Sequence, residues 1–186
     1  MLLPMSIKPK ILPLVFWPDK SLNQMTEIVT EFDEELERLV VDMFYTLKQY
    51  DGLGLAAPQV GVNKKVFVLD FDSIRSENRV EPMIMINPII AELSDQLYEC
   101  REGCLSVPGH FEKRRRPARV KMQWQDLKGE KHYAELQDLV AFVAMHEYDH
   151  LVGKTFVDGA SSLKTERIQK KMQKIIKRIR PDGNYH

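Results

Sequence analysis

The apolar positions of the chain follow a helical period over one long N-terminal stretch. From Met25 to about Tyr50, apolar residues recur every three or four positions, as on one face of an amphipathic helix. These residues are Ile28, Val29, Phe32, Leu36, Leu39, Val40, Met43, Phe44 and Leu47. The pattern predicts a long first helix that packs on a core and ends near Gly52. The glycine-rich segment GLGLAAPQVG that follows is interpreted as a turn.

Shorter segments beyond this turn have the character of β-strands. KVFVLDF at 65–71 and MIMIN at 83–87 are apolar runs, and ARVKMQW at 118–124 alternates between apolar and polar residues. Turn residues at 126–129 separate the last of these from KHYAEL at 131–136, which predicts a returning strand.

Two more helices are expected in the C-terminal part. Residues 137–152 are apolar and contain neither Gly nor Pro, which predicts a central, largely buried helix. After Gly153, the segment from about Ser161 to Arg180 has helical spacing again. The order of elements predicts an α+β fold in one domain over 1–186. The strands would lie outside and the apolar helix inside.

Composition narrows the classes of function. The chain has 186 residues, 29% of them charged, and a formal net charge of zero, which argues against DNA binding through overall charge. No apolar run approaches the roughly 20 residues that span a bilayer, so no membrane segment is predicted. The start lacks the features of a signal peptide, and Met1 and Met5 are both candidate start residues. A disulfide between Cys100 and Cys104 would close a very small loop, so free thiols in a reducing cytoplasm are expected.

The last helix carries a local excess of positive charge. Residues 161–186 contain eight Lys or Arg and two acidic residues, a net charge of +6. One interpretation is a solvated amphipathic helix that docks on the body through Ile168, Met172, Ile175, Ile176 and Ile179. The other is a basic face for an anionic partner such as RNA.

The segment HEYDH at 146–150 has the pattern of a metal-binding helix. Residues four apart lie on one helical face, so His146 and His150 can offer two imidazole nitrogens to one ion. Glu147 points about 100° away around the helix axis, where it can reach a water on that ion without being a ligand. Burying three such groups without a purpose would be costly, which favours a metal site over two core histidines.

The third ligand of a catalytic site is not fixed by this segment. HEYDHLVG would place a metzincin ligand at position 156, but Phe156 cannot coordinate a metal. The other candidates are Glu166 in the basic helix, His110, His132, Cys100 and Cys104. A thiolate is a strong soft ligand, and Cys104 lies in a turn-like or extended segment, which makes it the preferred candidate.

Three segments together resemble one family. GLGLAAPQ at 52–59 is similar to a G-x-G-x-A-A-x-Q motif, EGCLS at 102–106 to E-G-C-L-S, and HEYDH to H-E-x-x-H. In this order and spacing they resemble the peptide deformylases, over nearly the whole chain. A lone H-E-x-x-H is weakly specific, whereas the three together are highly specific. The resemblance implies that Cys104 is the third ligand. It also implies antiparallel β-sheets surrounding the central metal-binding helix, with the long N-terminal helix and the C-terminal helix outside it.

The resemblance also implies an activity. Members remove the formyl group from the N-terminal formyl-methionine of nascent polypeptides and release formate. One divalent ion is implied, Fe²⁺ in the cell, with Zn²⁺, Ni²⁺ or Co²⁺ as replacements in preparations. Glu147 would be the general base, and the Gln59 side chain and the Leu105 backbone N–H would stabilise the oxyanion.

Substrate-binding residues follow from the same reaction. An extended peptide is expected to pair near Gly54 and Gly103 like an added strand. Gly52 and Gly54 are expected both to need positive φ and to allow close backbone approach. The methionine side chain needs an apolar pocket, for which the candidates are Leu53, Leu139, Phe142 and Val143, although each could equally be plain core.

Two further residues are expected behind the ligands. Asp149 lies inside the metal-binding helix and should be paired, and Arg116, twelve residues after Cys104, matches the family pattern for its partner. The chain departs from the usual pattern at Met145, at Phe111, where some members carry an arginine, and in the basic run KRRRP at 113–117. None of these positions is an expected ligand.

Two rival functions remain. A peptide-bond metalloprotease would use Glu166 or a histidine as third ligand. A non-catalytic ribosome- or RNA-binding protein would use the basic tail, and that second function could coexist with the enzyme, since the ribosome is a candidate partner.

Overall fold

The computed structural model describes residues 8–74 and 80–178 of the chain. Met1, Met5, Ile179 and the chain end after it lie outside the described residues. Seven strands and three α-helices are formed there, and the antiparallel sheets around a central helix confirm the predicted α+β fold. The strands are β1 Gly54–Ala56, β2 Val66–Leu69, β3 Met83–Leu93, β4 Leu97–Gly103, β5 Phe111–Pro117, β6 Arg119–Gln125 and β7 Lys131–Gln137. The helices are α1 Glu34–Gln49, α2 Asp138–Leu151 and α3 Ser162–Ile176.

A five-stranded antiparallel sheet, in the order β1-β2-β3-β6-β7, separates two layers of core. In β2, Val66 and Val68 face the core under α1, whereas Phe67 and Leu69 face the core under α2. This burial on both faces explains why β2 is a continuous apolar run rather than an alternating one. The sheet therefore holds α2 against one of its faces while α1 covers the other.

The first helix is shorter than predicted and begins at Glu34 rather than at Met25. The Asp33 side chain accepts a hydrogen bond from the Leu36 N–H at 2.9 Å, which caps the helix at that point. The preceding residues are extended, because Met25 forms a bridge with Val152 and Glu27 with Lys64. Val29 lies in this extended segment but packs on the same core as the helix, so the apolar spacing of the helix continues upstream of Asp33 when only the sequence is considered.

The glycine-rich segment is not simply a turn. Gly54 begins β1, and a 3-10 turn over Ala57–Val60 follows it. Gly52 and Gly54 do not have positive φ, so that expectation was wrong; Asp51 and Gly61 take the left-handed conformation instead. Close approach accounts for both glycines, since a Cβ at Gly52 would lie 2.6 Å from a methyl carbon of Leu47.

A two-stranded ribbon of β4 and β5 was missed in the sequence. Its strands pair in register from Leu97–Pro117 to Gly103–Phe111. Only Glu102 and Arg116 are buried in it, so its sequence lacks the apolar alternation that marks a strand. The ribbon carries the EGC segment to the site.

The C-terminal helix docks on the body. Ile168, Met172 and Ile175 are buried in a core with Trp17, Leu22 and Val107. The exposed face of α3 carries its basic residues. No helix within the described ranges is both long and apolar enough to cross a membrane.

Candidate metal centre

Three predicted ligands converge at one point. His146 and His150 lie one turn apart on α2, with ring centroids 5.1 Å apart. Cys104 immediately follows β4, and its Sγ lies 3.2 Å from Nε2 of His150. One donor atom from each of the three residues lies within 4.8 Å of the other two. One thiolate and two imidazoles are the donor set of a soft or borderline divalent ion with an open coordination position.

The electrostatics of these three groups suit a cation. Burial raises the pKa of the Cys104 thiol, but His150 and His146 more than offset this and hold the pKa well below its usual range. Burial lowers the pKa of His146, but hydrogen bonds with Cys104 and Glu102 raise it well above its usual range. Both shifts favour a thiolate beside a protonated imidazole, and a bound metal would take the place of that proton.

A buried ion-pair chain orients His146. Its Nδ1–H donates to Oε2 of Glu102 at 3.1 Å. Arg116 donates to the same carboxylate twice, at 2.5 and 2.9 Å, and its other nitrogen lies 2.8 Å from Asp149. Burial raises the pKa of Glu102, yet the hydrogen bonds from Arg116 and His146 outweigh it and hold the pKa far below its usual range. The carboxylate therefore fixes the tautomer that leaves Nε2 free for a metal.

Arg116 was predicted to pair with Asp149, and the structure brings the two together. Glu102 was not assigned a role from the sequence, although it contacts both Arg116 and His146. The available signal was its place in the EGCLS motif two residues before Cys104. A carboxylate behind a ligating histidine is a common arrangement, so this position could have been proposed.

Glu147 lies buried beside the three ligands. Burial raises the pKa of its carboxyl group to about 7, against the lowering effect of His146 and His150. Its Oε2 is buried and has no hydrogen-bond partner among the described residues. Gly54 makes room for it, since a Cβ there would lie 2.5 Å from Oε1 of Glu147. A carboxyl group with a free oxygen and a pKa near 7, next to a metal site, is able to carry protons.

Gln59 directs its amide N–H groups at the same point. Its Oε1 accepts a hydrogen bond from the Ala56 N–H at 2.8 Å, which fixes the orientation of the amide. Its Nε2 then lies 3.4 Å from both Sγ of Cys104 and Oγ of Ser106. Leu105 follows Cys104 directly, so its backbone is held next to the ligand.

A cavity of about 550 Å³ opens onto these groups. Cys104, His146, Glu147, Gln59 and Leu105 line it. All of the predicted substrate-contacting residues line it as well: Leu53, Gly54, Gly103, Leu139, Phe142 and Val143. The cavity is thus a mainly apolar space with a few polar groups at one end, which suits an apolar side chain next to a reacting amide.

The alternative ligands do not converge with these three donors. Glu166 is exposed on α3. His132 belongs to an exposed group with Asp126, which lies 2.8 Å from its Nε2. Cys100 borders the cavity, but its thiol points at Glu102 and the Arg114 carbonyl, both at 3.5 Å. Burial, and to a smaller extent the Glu102 carboxylate, raises the pKa of this thiol to about 11. His110 also borders the cavity, outside the group of converging donors.

Known proteins resemble this chain over most of its length. A family model described as polypeptide deformylase matches residues 11–166. A peptide deformylase 1 from Pseudomonas syringae pv. tomato is 43% identical over 88% of this chain and 95% of its own length. A peptide deformylase from Stutzerimonas stutzeri is 44% identical over 89% of this chain and 96% of its own. The crystal structure of peptide deformylase from Ehrlichia chaffeensis in complex with actinonin has a TM-score of 0.83 and 37% identity, covering 88% of this chain and 96% of that one.

Proposed function

Because the chain belongs to the polypeptide deformylase family, we propose that Glu147 carries the protons of deformylation at a metal held by Cys104, His146 and His150. The chain is a metal-dependent hydrolase that removes the formyl group from the N-terminal formyl-methionine of nascent polypeptides. The convergence of those three donors beside the Glu147 carboxyl group, whose buried Oε2 has no hydrogen-bond partner among the described residues, is the observation that carries the assignment of roles.

The metal and Glu147 have separate roles in the proposed reaction. A divalent ion would supply a Lewis acid that lowers the pKa of water and polarises the formyl oxygen. Glu147 accepts one proton from the water that attacks the formyl carbon, and it then returns a proton to the leaving amine. The C–N bond breaks, and formate and a free methionine amino group result. Burial raises the pKa of this carboxyl group to about 7 in the metal-free site, and a bound cation lowers it again, so Glu147 is able both to accept and to return a proton.

Two donors stabilise the oxyanion in this proposal. The Gln59 amide is held by Ala56 so that its Nε2 faces the site, and the Leu105 backbone N–H adjoins Cys104. Donors that are already in position need no reorganisation as charge develops on the formyl oxygen. The methionine side chain would occupy the apolar wall of the cavity, formed by Leu53, Leu139, Phe142 and Val143.

The proposed ion in the cell is Fe²⁺, with Zn²⁺, Ni²⁺ or Co²⁺ as replacements in preparations. A sulfur and two nitrogens accept any of these ions, so the choice of iron rests on the family alone. Elemental analysis of protein purified under anaerobic conditions tests it, and protein that carries only zinc and is fully active would contradict it. We also propose the cytoplasm as its compartment, supported by two cysteines that are not in a disulfide.

Formate release tests the enzymatic roles. Protein loaded anaerobically with Fe²⁺ is expected to release formate from formyl-Met-Ala-Ser, and Glu147→Gln should retain the metal while losing this activity. Absence of formate from the wild-type protein would overturn the proposal. A peptide-bond metalloprotease would instead produce shorter peptides from an unformylated substrate, and it would not depend on Cys104.

A ribosome is the second proposed partner, through the basic face of α3. Lys170 and Lys174 are exposed there, Lys177 is exposed directly after the helix, and nascent chains are the substrate. Deletion of residues 161–186 is a poor test, because it would also remove buried Ile168 and Met172.

A charge-reversal variant of these three lysines avoids that problem. We expect it to co-sediment less with ribosomes at low salt while it keeps activity on short peptides. The matched control reverses Lys20, Lys128 and Lys131, which are exposed and lie outside α3. Equal loss in both variants would show a nonspecific charge effect and refute a role for α3.

A further inference from the structure

Phe111 is a large aromatic residue exposed at the substrate cavity. It is the first residue of β5, 55% of it is exposed, and it lines the cavity together with Cys104 and Glu147. Among the residues that the structure describes, most large aromatic side chains are buried or half-buried, because exposing an apolar ring forfeits hydrophobic stabilisation. A ring left open at the mouth of a binding site is a candidate contact for a ligand.

The ring is held in place from one side. Phe111 pairs with Gly103 across the ribbon, and a Cβ at Gly103 would lie only 2.6 Å from Cε1 of the ring. The ring therefore rests directly on the Gly103 backbone, where a side chain would exclude it. The Arg101 guanidinium lies 4.6 Å from the ring centroid, which fixes it further by a cation–π contact. An aromatic surface that is held in one orientation loses little conformational entropy when a ligand binds to it.

We propose that Phe111, positioned by Gly103 and Arg101, selects substrates with an aromatic or large apolar side chain shortly after the formyl-methionine. This inference rests on the proposed function, since it needs a formylated peptide in the cavity. An extended peptide that runs from the metal centre past Gly103 would carry its next side chains across the ring. Phe111 would then determine specificity without contact with the reacting atoms.

The size of the effect follows from aromatic contacts in general. A pair of aromatic side chains contributes a factor of about 2 to 12 beyond the area it buries. The wild-type protein should therefore prefer phenylalanine over serine in kcat/KM by at least roughly that factor, because phenylalanine also buries more apolar area than serine. The preference should arise in KM, because the contact binds the ground state and the transition state alike.

Two peptide series measure this preference. In formyl-Met-X-Ala and formyl-Met-Ala-X, X is phenylalanine, leucine, serine or aspartate, and formate release gives kcat and KM for each peptide. The wild type is expected to prefer phenylalanine at one of the two positions. In Phe111→Ala the ratio of kcat/KM between the phenylalanine and serine peptides should fall towards one. Phe111→Leu should keep a preference for leucine and lose the additional preference for phenylalanine.

The matched control is Tyr133→Ala, which removes an aromatic residue that is 58% exposed on β7, outside the cavity. It should keep the wild-type ratio. A wild-type protein that releases formate without any preference would overturn the inference and leave the proposed function intact. An unchanged ratio in Phe111→Ala would overturn it as well, as would a preference for aspartate that disappears in Arg101→Ala. No formate from any peptide would instead refute the proposed function.

Discussion

Replacing Arg116 with alanine should weaken both the fold and the metal site. The side chain of Arg116 is 10% exposed and that of Glu102 is 6% exposed, so the pair is buried. Removing one partner of a buried ion pair costs about 3–5 kcal/mol, because the other charge stays behind without compensation. For a chain of this size that corresponds to a decrease of roughly 6–20 °C in Tm. Weaker orientation of His146 should lower metal affinity by a factor of about 10–100.

The matched control is Arg119→Ala, which removes an arginine that is 54% exposed and lies 3.8 Å from Glu135. An exposed pair of this kind contributes about 0–1 kcal/mol. Thermal unfolding of metal-free protein isolates the effect on the fold, and competition with a chelator measures the dissociation constant of the metal. If Arg116→Ala behaves like Arg119→Ala in both assays, the proposed role of the ion-pair chain is wrong.

The charge of Glu102 can be tested separately from the loss of the arginine side chain. In Arg116→Ala the pKa of Glu102 should rise, so the stability gap to the wild type should be widest above the pKa that Glu102 has in the folded variant. Below that pH the variant protonates Glu102 first, and the gap should narrow. Adding Glu102→Gln to the variant removes the uncompensated charge, so the double variant should recover part of the lost stability. A gap that is independent of pH would show that the effect is one of packing.

Three other perturbations have clear expected outcomes. Cys104→Ala should lose its metal on dialysis, whereas Cys100→Ala should retain it, and elemental analysis of the two variants decides between them. Gly54→Ala should lower kcat by about 100-fold or more, because its methyl group would displace the Glu147 carboxylate, and activity within threefold of wild type would contradict this. The kcat/KM of the wild type should fall on acidification with a pKa at or below about 7, since protonated Glu147 cannot accept a proton and a bound cation lowers its pKa further. That acid limb of the pH profile should be absent from any residual activity of Glu147→Gln.

The sequence predicted best where a strong period was present. The central helix lies within one residue of its expected bounds, because its apolar character admits no other element. The histidine pair followed from the helical repeat alone, but the third ligand did not, since Cys104 lies 42 residues upstream of His146 on a different element. From the residues alone several candidates stayed open, and only the family motif favoured one of them. The first helix was predicted to begin too early, because hydrophobic spacing does not reveal that an N-cap such as Asp33 starts the helix there.

The glycines show a limit of local reasoning. At Gly54 the sequence suggested a backbone conformation, whereas the physical requirement comes from Glu147, which is 93 residues away along the chain. Gly103 is likewise required by the ring of Phe111 across the ribbon. Neither contact has a sequence pattern, because each depends on how separate elements pack. The sequence motifs therefore indicate that both positions are glycine, but only the fold shows which neighbouring side chains exclude a Cβ atom there.

The ion-pair chain of His146, Glu102, Arg116 and Asp149 both stabilises the β4–β5 ribbon and orients the metal centre. Glu102 and Arg116 are the only buried residues of these two strands, so the ribbon lacks a fully buried apolar side chain of its own. Both ends of the ion-pair chain are residues of α2, since Glu102 contacts His146 and Arg116 contacts Asp149. The contacts that attach the ribbon to the helix are therefore the same contacts that orient a ligand. Because Cys104 follows Glu102 by two residues, they also bring the thiolate to the histidines. This explains how a polar ribbon, which hydrophobic patterning did not detect, can deliver the third ligand to a helix that was predicted from its hydrophobicity.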